Sequence, residues 1–520
     1  MGSGGGTTGG LSAGGVATGG LSAGGGTTGG LGSGGAATGG LGASGQPAGG
    51  VATGGLTTGG LPIGGAATGG QTTGGQATGG IIPTGGINGA TAGMNPGGGG
   101  NTGGLGAGGE PETGGVATGG TSNDTAADYY VAVDGDDSNP GTVDQPFATL
   151  QKAHAVVAPG QKVLIRGGTY MVDGDGSMSG ISISKSGTSE EMRIKFWAYP
   201  GERPIFDFSN VSLAANQTAA GIYVTGSWLH FKGLEICNVP MPGFGANNGI
   251  WAVRTSHNIY ELMVFHHNSG PGLSIAYGNG GNLILNCDSY ENFDEKNGGE
   301  DADGFGIHYQ ETGTPTIIRG CRAWWNADDG YDLFKQEYSV IIEDSWAIGN
   351  GYINGGTTWG PGNGSGFKMG NTMTGVRHTI RNSVAWGNKV GFYANHSHGG
   401  SDWFNNTSYD NGTNFNMLSD VVLSGDLVHY MRNNVSFPRS TSNMETVDTE
   451  FNTWDLGIAV AAEDFVSVVD DGWSGPRGVD GSLPDIDFLR PEEGSQLIDQ
   501  GTDVGLPFEG DAPDLGAYEI

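Results

Sequence analysis

Hydrophobic and polar positions between residues 260 and 440 recur in short two-part units, without the 3.6-residue period of a helix. The first half of each unit runs through aromatic or aliphatic residues to an asparagine: CDSYEN (287–292), CRAWWN (321–326), SWAIGN (345–350), SVAWGN (383–388) and NTSYDN (406–411). The second half places an apolar residue two positions after an aromatic one: DGFGI (303–307), DGYDL (329–333), SGFKM (365–369), VGFYA (390–394) and TNFNM (413–417).

These units predict an all-β chain. Equivalent positions are about 23–26 residues apart, or about 34–38 where a loop is inserted. The apolar runs are short, rich in β-branched and aromatic residues, and separated by glycine and asparagine, as strands are. No helical stretch long enough for a βαβ crossover lies between them. We therefore predict a parallel β-helix with three short strands per turn, whose successive turns stack about 4.8 Å apart.

Stacked turns convert equivalent positions into ladders. Alternate side chains of a strand face the interior, which predicts an aromatic ladder and, two residues on, an apolar ladder. The aromatic ladder contains Phe305, Tyr331, Phe367, Phe392 and Phe415, and the apolar one Ile307, Leu333, Met369, Ala394 and Met417. The asparagines form a third ladder at a bend: Asn292, Asn326, Asn350, Asn388 and Asn411. Cys287 and Cys321 share one position, and we predict two buried thiols rather than a disulfide.

The position between the two inward ladders faces outward and gathers charge. It holds Asp332 in one turn and Lys368 in the next, while Asp303 and Asp329 share a position just before the glycine. With Asp328, four carboxylates would lie within about one strand spacing of one another. Like charges this close repel by about 1 kcal/mol per pair even in water. Either some carboxyl groups stay protonated or a cation binds.

Carboxylate oxygens on a turn suit Ca²⁺ better than Zn²⁺ or a transition metal. We therefore predict a calcium site formed by Asp303, Asp328, Asp329 and Asp332. The structural alternative is that these aspartates only cap turns. A bound dication would lower the pKa of Lys368, which suits a general base; the alternative for this lysine is a surface ion pair of little energy.

Two insertions leave the same corner of the predicted coil, FDEKNGGEDAD (293–303) and GYINGGTTWGPGNGS (351–365). Long loops on one corner of a repeat fold are typical of a binding face. We predict that they wall a trench over the carboxylates, where Trp359 can stack on a sugar. Lys335 and His396 lie along the same face and are candidate substrate contacts, although exposed side chains of these types are often only solvated.

Composition divides the chain near residue 123. Residues 1–123 consist of Gly-Gly units without an aromatic residue, which predicts a disordered linker or stalk. All 21 basic residues and 51 of the 53 acidic ones (all but Glu110 and Glu112) lie in 124–520, a single predicted domain with a net charge of 21 − 51 = −30. This charge disfavours nucleic acid and anionic membranes, and no apolar run reaches the length of a membrane span. We expect a monomer that is secreted or displayed at the cell surface, although no signal peptide follows Met1.

Three motifs carry a resemblance to a known family. In order, DADGFGIHY (301–309), NADDGYDLF (326–334) and GNGSGFKMG (362–370) resemble the pectate lyases of polysaccharide lyase family 9. The opening YYVAVDGDDSNPGTVDQPFATLQKA (129–153) and the closing PDLGAYE (513–519) extend the resemblance over about 128–520 and leave 1–123 outside it. After Phe392, the stretch YANHSHGG (393–400) departs from the amide-rich turn that we expect of the family, which leaves the substrate subsites open.

The resemblance implies a right-handed parallel β-helix that cleaves polygalacturonate by calcium-dependent β-elimination. Carried over residue by residue, Asp303, Asp328, Asp329 and Asp332 would bind Ca²⁺, and Lys368 would remove the C5 proton of a galacturonate to leave a 4,5-unsaturated product. Two alternatives stay open. One is a lyase or epimerase for another uronan, such as alginate, which shares proton abstraction at C5. The other is a non-catalytic, calcium-stabilised carbohydrate-binding module at the cell surface, which has no use for Lys368.

Overall fold

The structure is a computed structural model that describes residues 125–174, 178–310, 313–370 and 375–520, so the predicted linker at 1–123 lies outside the described residues. Three long sheets dominate the described part, which confirms the predicted all-β class. The described helices are short: the α-helix Leu150–Val156 and the 3₁₀ turns Glu295–Asn297, Gly425–Leu427, Met444–Thr446 and Ala462–Asp464. None of them is long and apolar enough to cross a membrane.

The strands of each long sheet pair in parallel with the next turn of the chain. The first sheet contains Tyr129–Val131, Lys162–Ile165, Ile194–Ala198, Leu229–Lys232, Ile259–Glu261, Leu283–Leu285, Thr316–Arg319, Val340–Glu343, His378–Arg381, Ser401–Phe404, His429–Arg432 and Val447–Glu450. The second contains Gly168–Met171, Pro204–Asp207, Glu235–Cys237, Val264–His266, Asp288–Tyr290, Arg322–Trp324, Trp346–Ile348, Val384–Trp386, Thr407–Tyr409 and Val435–Phe437. The third contains Ser179–Ile183, Ala219–Val224, Asn247–Val253, Leu273–Ala276, Phe305–His308, Tyr331–Asp332, Ser365–Lys368, Val390–Tyr393, Thr413–Asn416 and Thr441–Ser442.

The chain passes through the first, second and third sheets in turn, and this order confirms three strands per turn. One full turn, for example, consists of Leu229–Lys232, Glu235–Cys237 and Asn247–Val253. The inserted loop 351–364 adds a separate antiparallel pair, Tyr352–Ile353 with Thr358–Trp359. The parallel β-helix predicted from the repeat is therefore the observed architecture.

The aromatic ladder lies inside the coil, as predicted. Phe305, Tyr331, Phe367, Phe392 and Phe415 pair in register, and successive ring centroids are 5.3, 4.7, 4.9 and 5.0 Å apart. All five side chains are fully buried. Such ring pairs contribute roughly 0.5–1.5 kcal/mol each beyond the burial of their area. The apolar ladder two positions later is equally buried: Ile307, Leu333, Met369, Ala394 and Met417.

The asparagine ladder is also confirmed. The amide Nδ2 of Asn292 donates to Oδ1 of Asn326 at 2.8 Å, and the same bond links Asn326 to Asn350, Asn350 to Asn388 and Asn388 to Asn411 at 3.0 Å. These bonds satisfy amides that would otherwise be unpaired at a buried bend. They also hold each turn in register with the next.

A second ladder, which the sequence analysis missed, follows the bend between the first and second sheets. Asn406 Nδ2 donates to Asn434 Oδ1 at 3.0 Å, and Asn434 Nδ2 donates to Asn452 Oδ1 at 2.8 Å. Earlier turns place Cys287 and Cys321 at the same bend, where both are buried free thiols. The prediction of stacked thiols rather than a disulfide is confirmed.

Residues after the last turn pack back against the outer face of the second sheet. Phe488 meets the outward Trp386 with ring centroids 5.1 Å apart. Deeper in this contact, the Asp288 carboxylate accepts from Nη2 of Arg322 at 2.7 Å and of Arg477 at 2.6 Å. Burial opposes ionisation of Asp288, but the two guanidinium groups overcome it and lower its pKa to about 2. The third sheet has no part in this contact, and its outer face carries the site described below.

Two histidines of the first sheet are buried without charge. His378 Nδ1 accepts the Val340 N–H at 3.2 Å, and His429 Nδ1 accepts the Trp403 indole N–H at 3.4 Å. Neither Nε2 has a hydrogen-bond partner among the described residues. Burial lowers the pKa of His378 to about 3, and burial together with Arg377 lowers that of His429 to about 4.

These histidines make stability depend on pH. In the unfolded chain their pKa returns to about 6.5. Below that pH the unfolded state therefore binds protons that the native state does not bind. Between about pH 6.5 and 4, each histidine should therefore remove about 1.4 kcal/mol of unfolding free energy per pH unit of acidification. His378→Asn keeps an acceptor for the Val340 N–H. It should halve the loss of unfolding free energy per pH unit that the two histidines cause, as measured by urea titrations at several pH values. Equal slopes for the variant and the wild-type chain would contradict the prediction.

Candidate active site

Five residues singled out from the sequence converge on the outer face of the third sheet. In register, Gly306 lies opposite Asp332, and Asp332 lies opposite Lys368. The other carboxylates come from the turns that lead into these strands. We call the four carboxylates the acidic cluster: Asp303, Asp328, Asp329 and Asp332. All four side chains are buried, and so is that of Lys368.

The acidic cluster is compact. Carboxylate oxygens of Asp303, Asp328 and Asp329 lie within 4.8 Å of one another. The Lys368 ammonium bridges two members of the cluster, with Nζ 2.7 Å from Asp329 Oδ2 and 3.3 Å from Asp332 Oδ2. The structure thus brings together every predicted metal ligand and the predicted base.

Backbone amides orient three of the carboxylates. The Asn363 N–H donates to Asp328 Oδ1 at 2.5 Å, and the Ser365 N–H donates to Asp329 Oδ1 at 2.7 Å. The Asp329 N–H in turn donates to Asp303 Oδ1 at 3.3 Å. Because Asn363 belongs to the inserted loop 351–364, that loop helps to build the site.

Charge in the acidic cluster is unbalanced. Burial, followed by mutual repulsion, raises the pKa of Asp303 and Asp328 well above its usual range, and burial also raises the pKa of Asp329 and Asp332. Burial alone would lower the pKa of Lys368, but the surrounding carboxylates raise it well above 10.5. One ammonium cannot neutralise four buried carboxylates.

The residues present fit a hard dication. The donors are carboxylate oxygens, which Ca²⁺ prefers. Asp332 Oδ1 is buried and has no hydrogen-bond partner in the described chain, so one oxygen of the cluster remains unused. A dication there would satisfy that oxygen and supply the missing positive charge.

His308 is a neighbour that the sequence analysis missed. Its Nε2 lies 3.7 Å from Asp332 Oδ2 and has no hydrogen-bond partner in the described ranges. Burial, with the nearby charge of Lys368, lowers the pKa of His308 to about 4, so the ring is neutral at pH 7. Glycine at 306 leaves room for this ring, because a Cβ there would lie 2.8 Å from His308 Cε1. The sequence could have indicated this residue, because His308 follows the outward Gly306 by two positions and alternate side chains of a strand lie on the same face.

The two inserted loops, which we predicted to wall a trench over the carboxylates, are in contact with each other. They touch one another beside Ala327, where a Cβ on Gly362 would lie 2.2 Å from Gly299 O and 2.3 Å from Ala327 O. Such close approach requires glycine at 362. The loops therefore form one joined wall at the start of the Asp328–Asp332 turn.

Lys389 ties the loop 351–364 to the coil. Its ammonium donates to Gly360 O at 2.7 Å and to Gly362 O at 2.6 Å. It also lies 5.4 Å from the centre of the Trp359 ring. This lysine thus holds the segment whose Asn363 amide orients Asp328.

The three predicted substrate contacts lie outside the acidic cluster. Trp359 is 47% exposed and stacks on Tyr352 with ring centroids 3.6 Å apart. Lys335 is exposed with its ammonium 4.9 Å from the centre of the Phe334 ring. His396 Nδ1 lies 3.7 Å from Asp420 Oδ1. Their role in substrate binding stays a prediction.

Two outward aromatic residues on the same face were also missed. Tyr223 pairs with Trp251 in the outward row that continues through Ser274 and Gly306 to Asp332. Both rings are partly exposed, with centroids 5.3 Å apart. Three strand spacings place Trp251 about 14 Å from Asp332 along the coil. Both aromatic residues are visible in the sequence, but only the strand register shows that their outward row leads to the acidic cluster.

Comparison with known proteins identifies the family. Residues 129–434 match a family model described as "Pel9A-like, right handed beta helix region". Pectate lyase L of Dickeya dadantii is 40% identical over 394 residues, which cover 75% of this chain and 90% of that relative. The crystal structure of pectate lyase Pel9A is 36% identical, covers 76% of this chain and 98% of its own, and superposes with a TM-score of 0.67. A rhamnogalacturonan lyase structure is 32% identical, covers 70% and 96%, and has a TM-score of 0.64.

The chain belongs to the Pel9A-like family of right-handed parallel β-helices. This membership confirms the resemblance seen in the three motifs. It also confirms the handedness that the resemblance implied.

Lys389→Met should loosen the wall without removing a member of the acidic cluster. The variant keeps the apolar stem but loses two charge-assisted hydrogen bonds, each contributing about 1.5–3 kcal/mol. Hydrogen exchange of the Asn363 and Ser365 amides should accelerate roughly tenfold or more. Lys185→Met is the matched control, because Lys185 also donates to two carbonyls, those of Ala155 and Val157. Unchanged exchange in Lys389→Met would show that the loop is held by other contacts.

Proposed function

We propose that this chain, a pectate lyase by family and by its relatives, cleaves polygalacturonate by calcium-dependent β-elimination with Lys368 as the base. The observation that carries the proposal is the buried acidic cluster with a lysine ammonium 2.7 Å from one of its oxygens. Four buried carboxylates and one lysine leave an excess of negative charge, which a dication would balance without protonation of the carboxyl groups. A structural ion pair alone would not require so large an excess of negative charge.

The acidic cluster would hold Ca²⁺ through Asp303, Asp328, Asp329 and Asp332. When bound, Ca²⁺ would supply electrostatic stabilisation for the charge that develops on the substrate carboxylate. His308 stands beside Asp332 as a neutral side chain and limits the space around that carboxylate. We expect it to position Asp332 rather than to carry charge.

Lys368 would remove the proton. Its Nζ must be neutral to do so, and its ammonium form is favoured while Asp329 and Asp332 are its partners. Lys368 would be released from this ion pair if Asp329 and Asp332 held a cation instead. Nζ then accepts the C5 proton of a galacturonate, which is acidified by its position next to the carboxylate.

The rest of the reaction follows from that transfer. The electron pair of the C5–H bond forms the C4–C5 double bond, and the C4–O4 bond breaks. The leaving oxygen would take a proton from water, because no acid for it stands out in the sequence or among the described residues. The products are a shortened chain and a 4,5-unsaturated uronate.

The face around the cluster supports extended binding of an acidic polymer. Trp251 and Tyr223 extend along the outward row on one side of the cluster, and Trp359 stands on the joined wall. We propose that these rings contact sugar units, with Lys335 and His396 as further contacts to carboxylates. An acidic polysaccharide is the partner, and we expect a secreted or surface-displayed monomer.

Another pectic uronan is the second candidate substrate. The specific observation is the rhamnogalacturonan lyase structure, which is 32% identical over 70% of this chain. A site that abstracts a C5 proton beside a carboxylate serves both polymers in principle. The difference must lie in the contacts along the sheet face.

A substrate panel decides between these candidates. The purified chain should release ultraviolet-absorbing unsaturated product from polygalacturonate with Ca²⁺, and much less from rhamnogalacturonan, methylated pectin or alginate. Chelation should abolish the signal because the four carboxylates then repel one another and retain Lys368 as counter-ion. Activity that survives a chelator and dialysis would disprove calcium dependence, and rhamnogalacturonan as the best substrate would reverse the assignment.

Substitutions of Lys368 test the base. Lys368→Ala should lower kcat by roughly 10²–10⁴-fold, the usual contribution of a general base. Lys368→Arg keeps the positive charge but cannot lose its proton, so it should be equally inactive. Calorimetry should show that Lys368→Ala still binds Ca²⁺, since it removes a competing cation. Substantial turnover by the arginine variant would exclude Lys368 as the base.

A further inference from the structure

Three metal-ligating side chains meet on the outer face of the second sheet, a different sheet from the one that carries the acidic cluster. Cys237 and His266 lie opposite each other on neighbouring strands. Glu235 precedes Cys237 by two positions and therefore lies on the same face. The Cys237 sulfur, a carboxylate oxygen of Glu235 and a ring nitrogen of His266 all lie within 4.8 Å of one another. We call these three residues the thiol cluster.

The donor atoms of the thiol cluster suit zinc rather than calcium. Sulfur and imidazole nitrogen are zinc ligands, whereas Ca²⁺ takes oxygen ligands. His266 Nε2 lies 2.9 Å from Glu235 Oε1. With zinc–sulfur bonds of about 2.3 Å and zinc–nitrogen bonds of about 2.0–2.1 Å, tetrahedral ligand atoms lie roughly 3.3–3.6 Å apart. Side-chain movements of about 1 Å would therefore admit the ion.

Two of these ligands are oriented by neighbouring side chains. Arg203 Nε donates to Glu235 Oε2, so that Oε1 faces the thiol cluster. Asn238 Nδ2 donates to Cys237 Sγ at 3.5 Å. Both Glu235 and Cys237 are buried. Hydrogen bonds of this kind, made by a ligand to a residue behind it, orient metal ligands in proteins.

His266 is held in a similar way and connects the thiol cluster to solvent. Its Nδ1 shares a hydrogen bond of 2.7 Å with His267 Nδ1, so Nε2 is the ring nitrogen that faces Glu235. The His266 ring also stacks on Tyr290, with ring centroids 4.9 Å apart. His266 is partly exposed, and an ion can reach the thiol cluster from this side.

A buried hydroxyl beside the thiol cluster has no partner in the described ranges. Tyr290 is 7% exposed, and its hydroxyl forms no hydrogen bond there. Burial, followed by the negative charge of Glu235, raises the pKa of Tyr290, which indicates that the hydroxyl lies near that carboxylate. A buried hydroxyl without a partner is unfavourable. A water molecule held by a metal ion would supply one.

The structural alternative explains only part of this arrangement. An ion pair between Arg203 and Glu235, with His266 as a further donor, needs no sulfur. Cys237 faces outward and lies outside the hydrophobic core in the interior of the coil. Burial, followed by two nearby carboxylates, raises the pKa of Cys237 to about 12, so this thiol is a poor nucleophile. Metal binding uses the thiol, the imidazole and the carboxylate together.

We propose that the thiol cluster is a second metal site, which binds one Zn²⁺ through Cys237 Sγ, His266 Nε2 and Glu235 Oε1. The thiol loses its proton on binding, and the thiolate and the carboxylate then balance the charge of the ion. Water takes the fourth position and forms a hydrogen bond with the Tyr290 hydroxyl. The ion joins the two neighbouring strands that carry its ligands and stabilises the native state through its binding.

Cobalt serves as the spectroscopic probe, because a thiolate bound to Co²⁺ gives a near-ultraviolet charge-transfer absorption that oxygen ligands do not give. The full chain is stripped of metal, supplied with excess Ca²⁺ to occupy the acidic cluster, and titrated with Co²⁺. The absorption should saturate at one Co²⁺ per chain and disappear when Zn²⁺ is added. Cys237→Ser should lose the absorption and bind Zn²⁺ at least tenfold more weakly, measured by competition with a chelating dye.

Two matched variants should behave like the wild-type chain. Cys321→Ser removes a different buried thiol, and serine suits that bend because Ser345 stands at the equivalent position of the next turn. His230→Gln removes a ring on the first sheet that lies 2.8 Å from Glu261, much as His266 lies beside Glu235. Both variants should keep the absorption and the affinity for Zn²⁺.

His266→Gln provides a second test if Cys237→Ser fails to fold, and it should also weaken Zn²⁺ binding at least tenfold. The proposal is wrong if the wild-type chain shows no thiolate absorption with Co²⁺, or if that absorption persists in Cys237→Ser. Equal Zn²⁺ affinity of His266→Gln and His230→Gln would also overturn it.

Discussion

The in-register stacking of successive turns is the constraint on which the rest of the molecule depends. The asparagine ladder fixes each bend to the next one through amide bonds of 2.8–3.0 Å. Once the bends coincide, the strands coincide, and every inward or outward position repeats from turn to turn. The chain can then vary an outward residue without disturbing the core. The active face is such a variation, in which consecutive turns present Gly306, Asp332 and Lys368 at one position.

The same constraint creates the electrostatic problem of the site. Turns about 4.8 Å apart bring the carboxylates close together, and all four of these side chains are buried. Backbone amides from Asn363 and Ser365 relieve part of this charge and fix the oxygens in place. The remaining excess raises the pKa of the carboxyl groups and holds Lys368 protonated. Under the proposed function, Lys368 and a dication would compete as counter-ions for one set of oxygens, and this competition would link metal binding to the availability of the base.

Period and parity were enough to predict the coil, its three ladders and the meeting of Asp303, Asp328, Asp329, Asp332 and Lys368, because each depends only on where a residue stands in its turn. Features that depend on three-dimensional packing were missed. His308 needed the space left by Gly306, and the joining of the two loops needed the approach of Gly362 to Gly299. The C-terminal layer on the second sheet pairs Asp288 with Arg477, residues far apart in sequence and without a shared period. Contacts of this kind do not recur from turn to turn, so the period of the sequence cannot predict them.

The distribution of charge over the coil has a physical logic of its own. A strongly acidic protein and an acidic polymer repel each other, and association needs positive charge at defined places. On the third sheet, the proposed dication would supply it, because a lysine that acts as a base must be neutral and cannot serve as a permanent counter-ion. The repeat makes such a charged face possible, since each sheet presents its own outward rows while all three share one core.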